Sequence, residues 1–304
     1  MKFDDVHLLL ADGRAHLRSS LRMALNEAGI ENIHNAPEAG ALAEAVEQPE
    51  APPDIILCDA GLRGGDAAEA VHAIRNGELG RNPFVCVLAL AWTATQDTVT
   101  RLVNAGADHV VAGPIAPQKV IDRIEAMIHR RKPFVVTADY VGPDRRLAPE
   151  REPGGAPLVD VPNSLRDKVL GRWNPEAMSR AIHNTTTAMN GHRIEREADA
   201  LAETIDATLG AEPGAIPPVR LERLIRLAQT LGRRAQANAA PHVSELCDSA
   251  RLIAERLHAG AKTNLKDAEI LAHVALALRA ATRPQENAAI AHEIATAIGA
   301  RRTG

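Results

Sequence analysis

The stretch that decides the fold is Pro53-Asp54-Ile55-Ile56-Leu57-Cys58-Asp59-Ala60-Gly61-Leu62. Strand-forming apolar residues run to a carboxylate, and a glycine-containing loop follows. A run that is apolar on both faces indicates a central strand of a parallel sheet, and functional groups of open α/β sheets lie at the carboxyl ends of such strands. Asp59 is therefore a candidate functional carboxylate. The same pattern also fits an ordinary Asp that ends a strand or caps a helix.

Four more strand patterns surround this strand in the first part of the chain, and a helical pattern follows each of them. They lie at residues 6–10, 32–36, 84–90 and 109–112. Most are apolar, whereas the pattern at residues 32–36 indicates a weak edge strand. Five strands that alternate with helices predict a doubly wound parallel sheet, because right-handed crossovers place the helices on both faces. The first part of the chain is therefore predicted to be an α/β domain with a five-stranded parallel sheet.

The acids and small residues of these units resemble the receiver domain of two-component response regulators. Asp12 follows the first strand and Asp59 the third, while Ala105-Gly106-Ala107-Asp108 precedes the fifth strand and Gly113-Pro114 follows it. The resemblance covers about residues 5–131 and implies the flavodoxin-like fold of CheY. It also implies that Asp59 accepts a phosphoryl group from a histidine kinase or a phosphotransfer protein.

The resemblance further implies a Mg²⁺ ion held by Asp12, Asp59 and the backbone carbonyl of Gly61. A carboxylate attacks phosphorus only when a cation offsets the charge on the transferring oxygens. Several positions depart from the family: Gly13 replaces the second acid, Ala91 the fourth-strand Ser or Thr (with Thr93 as a nearby hydroxyl), Val110 the switch aromatic and Gly113 the Lys. Loss of a carboxylate weakens Mg²⁺ binding. Two hypotheses remain open for Asp59, namely slow or partner-assisted phosphorylation and a degenerate receiver kept as a docking platform.

Residues 132–162 are predicted to be an extended connector. Four Pro and two Gly between residues 147 and 162 are typical of a linker. In one interpretation, Phe134, Val136 and Tyr140 attach the connector to a neighbouring surface. In the other, Arg145 and Arg146 follow a Gly-Pro turn and bind an anion such as a phosphate or a nucleotide.

Residues 163–304 are predicted to be an all-helical output or interaction domain, which we assign to no family. Apolar residues spaced by three and four recur in helical segments joined by short breaks, so the apolar stripes bury one another in a bundle. One stripe comprises Ile194, Ala198, Leu201, Ile205 and Leu209. It is either an internal seam of the bundle or a surface for dimerisation or for a partner.

Composition narrows the function further. Aromatic residues make up only 2% of the chain and its formal net charge is -4, which argues against nucleic-acid binding. Cys58, Cys86 and Cys247 are widely spaced and indicate neither a disulfide framework nor a metal site. The sequence shows no signal peptide and no apolar run of about 18 residues, so it predicts a cytoplasmic protein without membrane attachment.

These features together predict a bacterial two-component signalling protein and not an enzyme. Its domains would be a receiver at residues 1–131, the connector at 132–162 and a helical output at 163–304. One hypothesis is a phosphorylation-switched adaptor, and the other is a phosphorylation-independent scaffold or homodimer. A transcription factor is disfavoured because the arginines of the helical half alternate with acids. No motif identifies the cognate kinase or the partner of the output.

Overall fold

The computed structural model describes residues 2–48, 50–93, 95–137, 140–145, 158–211, 216–261 and 264–282. It consists of two compact units, residues 1–186 and residues 187–304. This division falls later in the chain than the domain limits expected at residues 131 and 162, which stay a prediction.

The first unit contains the predicted five-stranded parallel sheet, in the order β2-β1-β3-β4-β5. Its strands are β1 (Leu8–Ala11), β2 (Ile33–Ala36), β3 (Ile55–Asp59), β4 (Cys86–Ala91) and β5 (His109–Ala112). The helices that follow them are α1 (Ala15–Glu27), α2 (Ala39–Glu47), α3 (Ala67–Arg75), α4 (Gln96–Asn104) and α5 (Pro117–His129). The fold class predicted for this part of the chain is confirmed.

The sheet separates two hydrophobic cores, which explains why β3 is apolar on both faces. Ile55 and Leu57 belong to the core that contains residues of α1 and α5, whereas Ile56 and Cys58 belong to the core that contains residues of α2, α3 and α4. Every residue of β3 is buried. Because successive side chains of a strand point to opposite faces, a central strand covered on both sides must be apolar throughout.

The connector contains paired strands where the sequence indicated only extended chain. Strands β6 (Phe134–Val136), β7 (Val141–Pro143) and β8 (Leu158–Val159) form an antiparallel sheet in the order β7-β6-β8. The short helix α6 (Ser164–Val169) follows them. Phe134 and Leu165 are fully buried, and Leu165 joins the core beside α1 and α5. The described connector residues are therefore packed as part of the first unit.

The described helices after α6 are α7 (Pro175–Leu209), α8 (Pro218–Ala237), α9 (Pro241–His258) and α10 (Leu265–Thr282). They confirm a helical second half, and the division between the two units falls within α7. Ala198, Leu201 and Ile205 are fully buried in the core of the second unit, together with residues of α8, α9 and α10. This burial supports the internal-seam interpretation of the stripe. A further helix expected after Pro284 lies outside the described residues.

None of the described helices is both long enough and apolar enough to cross a membrane.

Candidate phosphoacceptor site

Two carboxylates meet at the carboxyl edge of the sheet because β1 and β3 are adjacent parallel strands. Ala11 pairs with Cys58, so Asp12 and Asp59 follow the strands at the same level. Asp12 is fully buried and Asp59 is 5% exposed. This edge is the ligand-binding edge of open α/β sheets.

The side chain of Arg14 lies between these two carboxylates. Its Nη2 atom is 2.9 Å from Asp12 Oδ2 and 2.7 Å from Asp59 Oδ2. The Nε–H of the same guanidinium donates to Asp12 Oδ1 at 3.0 Å. The guanidinium of Arg14 therefore makes a bidentate contact with Asp12 and also contacts Asp59.

The carboxylate of Asp12 accepts four hydrogen bonds from the described residues. The backbone N–H of Arg14 donates to Oδ1 at 2.8 Å, and the indole N–H of Trp92 donates to Oδ2 at 3.1 Å, in addition to the two bonds from the guanidinium. The Arg14 guanidinium also lies over the Trp92 ring, 5.2 Å from its centroid. An ionised carboxylate offers about four lone-pair sites, so these donors fill the capacity of Asp12.

The environment of Asp59 acts on its pKa in opposing directions. Burial raises the pKa of Asp59, and the charge of Asp12 raises it further, while Arg14 and the backbone N–H of Gly61 lower it. The net direction is upward from the ordinary value of 3.8. The pKa of Arg14 is raised, chiefly by its hydrogen bond to Asp12, so the guanidinium stays charged at every pH at which the protein is folded.

Two of the positions predicted to depart from the receiver pattern, Gly13 and Gly113, follow β1 and β5 at this edge of the sheet. A Cβ at Gly13 would meet only the side chain of Arg63, at 3.3 Å. A Cβ at Gly113 would collide with the backbone carbonyl oxygen of Trp92, and the Gly113 N–H donates to Ala91 O at 2.8 Å. The backbone at residue 113 is therefore too close to its neighbour for a lysine, whereas a side chain at residue 13 would require only a small shift of the Arg63 side chain.

A cavity of about 280 Å³ opens beside Asp59. Besides the acid and Arg14, its walls include Arg63, Thr93 and Thr98. Thr93, the alternative hydroxyl considered for the fourth strand, therefore lies on the wall of this cavity. Val110 lies on β5 and packs against the core shared with α2, α3 and α4.

One of the two arginines predicted to bind an anion contacts the backbone of the predicted receiver. Arg145 donates to the backbone carbonyl oxygens of Ala107 and Asp108, and Arg146 lies outside the described residues. The contacts of Arg145 favour the interpretation in which the connector is attached to its neighbour. Sequence reasoning missed the role of Arg14, and the signal available was an arginine two residues after Asp12.

Residues 8–125 match the family model described as the response regulator receiver domain. This part of the chain is a receiver domain. Receiver domains are signalling domains and not enzymes, and they interact with histidine kinases or phosphotransfer proteins. The matched residues include Asp12, Arg14 and Asp59.

Among curated proteins, the phosphate regulon transcriptional regulatory protein PhoB of Escherichia coli (strain K12) is 26% identical over 130 residues. The match covers 42% of this chain and 54% of PhoB, so the chain spans about half the length of the curated relatives it matches.

Among solved structures, the signal receiver domain of a DNA binding response regulator protein from Colwellia psychrerythraea 34H is 18% identical, with a TM-score of 0.37 over 41% of this chain and 99% of that chain. A CheY-like receiver domain protein from Methanospirillum hungatei is 21% identical, with a TM-score of 0.35 over 40% of this chain and 90% of that chain.

Receiver domains typically bind Mg²⁺ at their phosphorylation site, but the donors at this site do not fit that ion. Mg²⁺ requires oxygen ligands at about 2.0–2.1 Å in near-octahedral geometry. Asp12 has its acceptor capacity filled by nitrogen donors, and Asp59 Oδ2 is paired with Arg14. Gly13 supplies no third carboxylate. The arrangement is therefore a salt-bridged cluster with its own cation.

Proposed function

We propose that this chain is a two-component signalling protein whose degenerate receiver works without phosphoryl transfer and whose helical half is an output that binds protein. The observation that carries the proposal is the guanidinium of Arg14 between Asp12 and Asp59. A phosphoryl donor would have to approach an acid that is already ion-paired, with neither the Lys nor the second acid of the family nearby. The receiver would then act as a fixed interface.

The substitutions around the cluster support the same proposal. Phosphoryl transfer depends almost entirely on positioning and on cations that stabilise the transferring oxygens. Gly13 and Gly113 each stand where the family has a charged side chain, and Ala91 stands where it has a hydroxyl. Arg14 is the cation that contacts both carboxylates among the described residues, and its hydrogen bonds to Asp12 orient it toward the acids.

Intact mass spectrometry after incubation with acetyl phosphate and Mg²⁺ tests the proposal. The wild type is compared with Asp59→Asn, and a receiver that has the complete acidic pair serves as a positive control for the donor. We expect no phosphoryl adduct on the wild type under conditions that fully modify the control. An adduct on the wild type that Asp59→Asn lacks would overturn the proposal.

That contrary result would establish a second candidate function, a phosphorylation-switched adaptor. Its support is the retention of Asp12 and Asp59 at the carboxyl edge of the sheet and the presence of Thr93 and Thr98 in the adjacent cavity. In such a protein, phosphorylation would bias the receiver toward one of two conformations.

For the output, we propose a partner with an acidic surface. Helix α8 carries five Arg and one Glu, so the arginines of this helix do not alternate with acids as expected. Arg223, Arg226 and Arg233 are exposed, and their spacing places them on one side of the helix. None of the three forms a salt bridge with another residue of the described ranges. A row of unpaired cations attracts acidic surfaces and steers their approach.

Fluorescence anisotropy with a labelled polyglutamate peptide and with a labelled DNA duplex tests this part of the proposal. We expect the full chain to bind the peptide in a salt-sensitive manner and the Arg226→Glu/Arg233→Glu variant to lose that binding. Lys266→Glu, which reverses an exposed charge on α10, serves as the control and should bind like the wild type. Salt-sensitive binding of the duplex that is tighter than binding of the peptide would indicate a nucleic-acid output instead.

A further inference from the structure

We infer that Arg14 is the resident cation of the receiver site and that it excludes Mg²⁺ from the pair Asp12 and Asp59. The inference deepens the proposed function and rests on it. Arg14 is not one of the predicted metal ligands, and the inference gives it the role of positioning the two carboxylates. The site would then be independent of divalent metal ions.

The contact geometry is that of a strong ion pair. Nε and Nη2 of Arg14 donate to the two different oxygens of Asp12, at 3.0 and 2.9 Å. The planar guanidinium matches a carboxylate in this two-point arrangement, which strengthens the pair and fixes its orientation. Because Nη2 is also 2.7 Å from Asp59 Oδ2, the same group holds the second acid.

Local structure positions Arg14 before any partner is bound. Arg14 is the residue that precedes α1, in extended conformation, and its backbone N–H donates to Asp12 Oδ1 at 2.8 Å. The ring of Trp92 supports one face of the guanidinium, at 5.2 Å from its centroid. A cation over an indole is attracted by the ring electrons. The arginine therefore loses little further side-chain freedom when it bridges the acids.

A divalent cation could enter only by displacing this arginine. Mg²⁺ would need lone pairs on Asp12, all of which accept hydrogen bonds, and on Asp59 Oδ2, which faces Nη2. Displacement would break charge-assisted hydrogen bonds and leave a second positive charge beside the metal. Each such bond contributes about 1.5–3 kcal/mol, which corresponds to at least about tenfold in affinity.

Arg63 provides a matched control for the effect of charge alone. It lines the same cavity as Arg14, and its side chain is near Gly13. No salt bridge to Asp12 or Asp59 is formed by Arg63, whereas Arg14 forms one with each. Replacing Arg63 removes a positive charge from the cavity and leaves the bridge in place.

The experiment is a Mg²⁺ titration without any phosphoryl donor, followed by the fluorescence of Trp92 in a Trp173→Phe background. The full-length wild type should show no saturable change. Arg14→Ala should show a saturable change whose midpoint lies at least about tenfold below the highest Mg²⁺ concentration at which the wild type shows none. Arg63→Ala should behave like the wild type, because the salt bridges of Arg14 with Asp12 and Asp59 are intact in this variant.

Loss of the free Mn²⁺ signal in electron paramagnetic resonance provides a second readout that does not depend on Trp92. Arg14→Gln, which keeps a polar side chain and removes its charge, replaces Arg14→Ala if circular dichroism shows that the latter is unfolded. Equal Mg²⁺ affinity in the wild type and in the Arg14 variant would overturn the inference, as would an equal gain in Arg63→Ala. Since no phosphoryl donor is present, this failure is distinct from the appearance of a phosphoryl adduct, which would overturn the proposed function.

Discussion

Asp59, the predicted phosphoacceptor, is the last residue of β3, and its carboxylate is paired with the side chain of Arg14. The two acids and the arginine are spaced so that each carboxylate contacts the guanidinium. Burial without this cation would place two negative charges close together in a water-poor site, which is costly. The arginine therefore stabilises the pair of acids as well as blocking access to it.

Asp59→Asn is predicted to change how stability depends on pH. The pKa of Asp59 is raised by burial and by Asp12, so the folded state binds this proton more tightly than the unfolded state does. The protonated carboxyl of Asp59 therefore stabilises the folded state fully below the ordinary pKa of 3.8. Its contribution to the free energy of unfolding is lost as the pH rises through the raised pKa of the folded state. Asparagine removes that loss, so the stability of the variant relative to the wild type should increase as the pH rises above 3.8.

Urea unfolding followed by tryptophan fluorescence at several pH values measures this difference. Trp92 and Trp173, the two tryptophans of the chain, lie within the first unit. A stability difference between wild type and Asp59→Asn that stays constant over these pH values, or that changes in the opposite direction, would contradict the account.

The proximity of Asp12 and Asp59 could be predicted from sequence, because parallel strands end at the same edge of the sheet. The bridge could not, since it depends on the conformation of a long side chain and on Trp92, a residue 78 positions after Arg14 that supports it. The sequence pattern directed attention to the lost acid at Gly13. The arginine that follows Gly13 was visible in the sequence, but the pattern did not show that its side chain contacts both acids.

At the scale of elements, the segment after α5 is attached to the receiver by a buried charge network. Asp108, at the start of β5, accepts from Arg75 Nη2 at 2.9 Å and from Arg131 Nε at 2.8 Å. The two guanidinium groups each lie 5.1 Å from the centroid of the Phe134 ring. The first residue of β6 is thus held between two arginines that share one acid.

Arg131→Met is predicted to destabilise the first unit by about 3–5 kcal/mol, the cost of removing one partner from a buried ion pair. The side chain of Arg131 is 6% exposed and also donates to the carbonyl oxygen of Phe84 at 2.7 Å. Arg130→Met is the matched control, because Arg130 is exposed. Its effect on the free energy of unfolding should stay within about 0.5 kcal/mol. Equal effects of the two substitutions in urea unfolding would contradict the network.

Gly106→Ala is predicted to destabilise the first unit by about 2–5 kcal/mol, which combines left-handed backbone strain with overpacking. Gly106 has a φ of +95°, and a Cβ there would collide with the backbone carbonyl oxygen of Val141 in β7. Gly40→Ala is the control, because Gly40 lies within α2 with open space around its Cα. That substitution should stabilise by about 0.5–1 kcal/mol. Thermal unfolding of both variants checks the contrast.

The main sheet was predictable because four of its strands are largely apolar and each strand is followed by a helix, although β2 contains two exposed polar residues. The small sheet of β6, β7 and β8 was not, because its strands are only two or three residues long. These short strands are held in place by contacts with residues far away in the sequence, such as Gly106 and Arg75. A local pattern therefore indicated an extended chain without indicating what it pairs with.

At the scale of the whole molecule, each unit has its own hydrophobic core. Two core clusters lie on the faces of the receiver sheet, and a third is formed by α7, α8, α9 and α10. Separate cores allow separate unfolding transitions, so one free energy of unfolding does not describe the full chain. The helical stripes that form the third core were recognisable from their spacing, whereas the exposed cations on α8 became evident only when its buried face was known.

Leu224→Ala is predicted to destabilise the second unit by about 2–5 kcal/mol, the usual cost of a large-to-small change in a core. Leu224 is fully buried on α8. Far-ultraviolet circular dichroism should detect an earlier loss of helix during urea unfolding. Tryptophan fluorescence, which reports on the first unit, should keep its wild-type midpoint. A shift of the same size in both signals would indicate that the two units unfold together.

The most direct test of the central claim is the nuclear magnetic resonance signal of the Arg14 side-chain Nε–H, assigned by its absence in Arg14→Lys. We expect this signal to be protected from solvent exchange, because the proton is donated to Asp12. We also expect that millimolar Mg²⁺ leaves the signal unchanged. A rapidly exchanging signal, or one that Mg²⁺ shifts to the position of an unpaired arginine, would contradict the claim that Arg14 is the cation of this site.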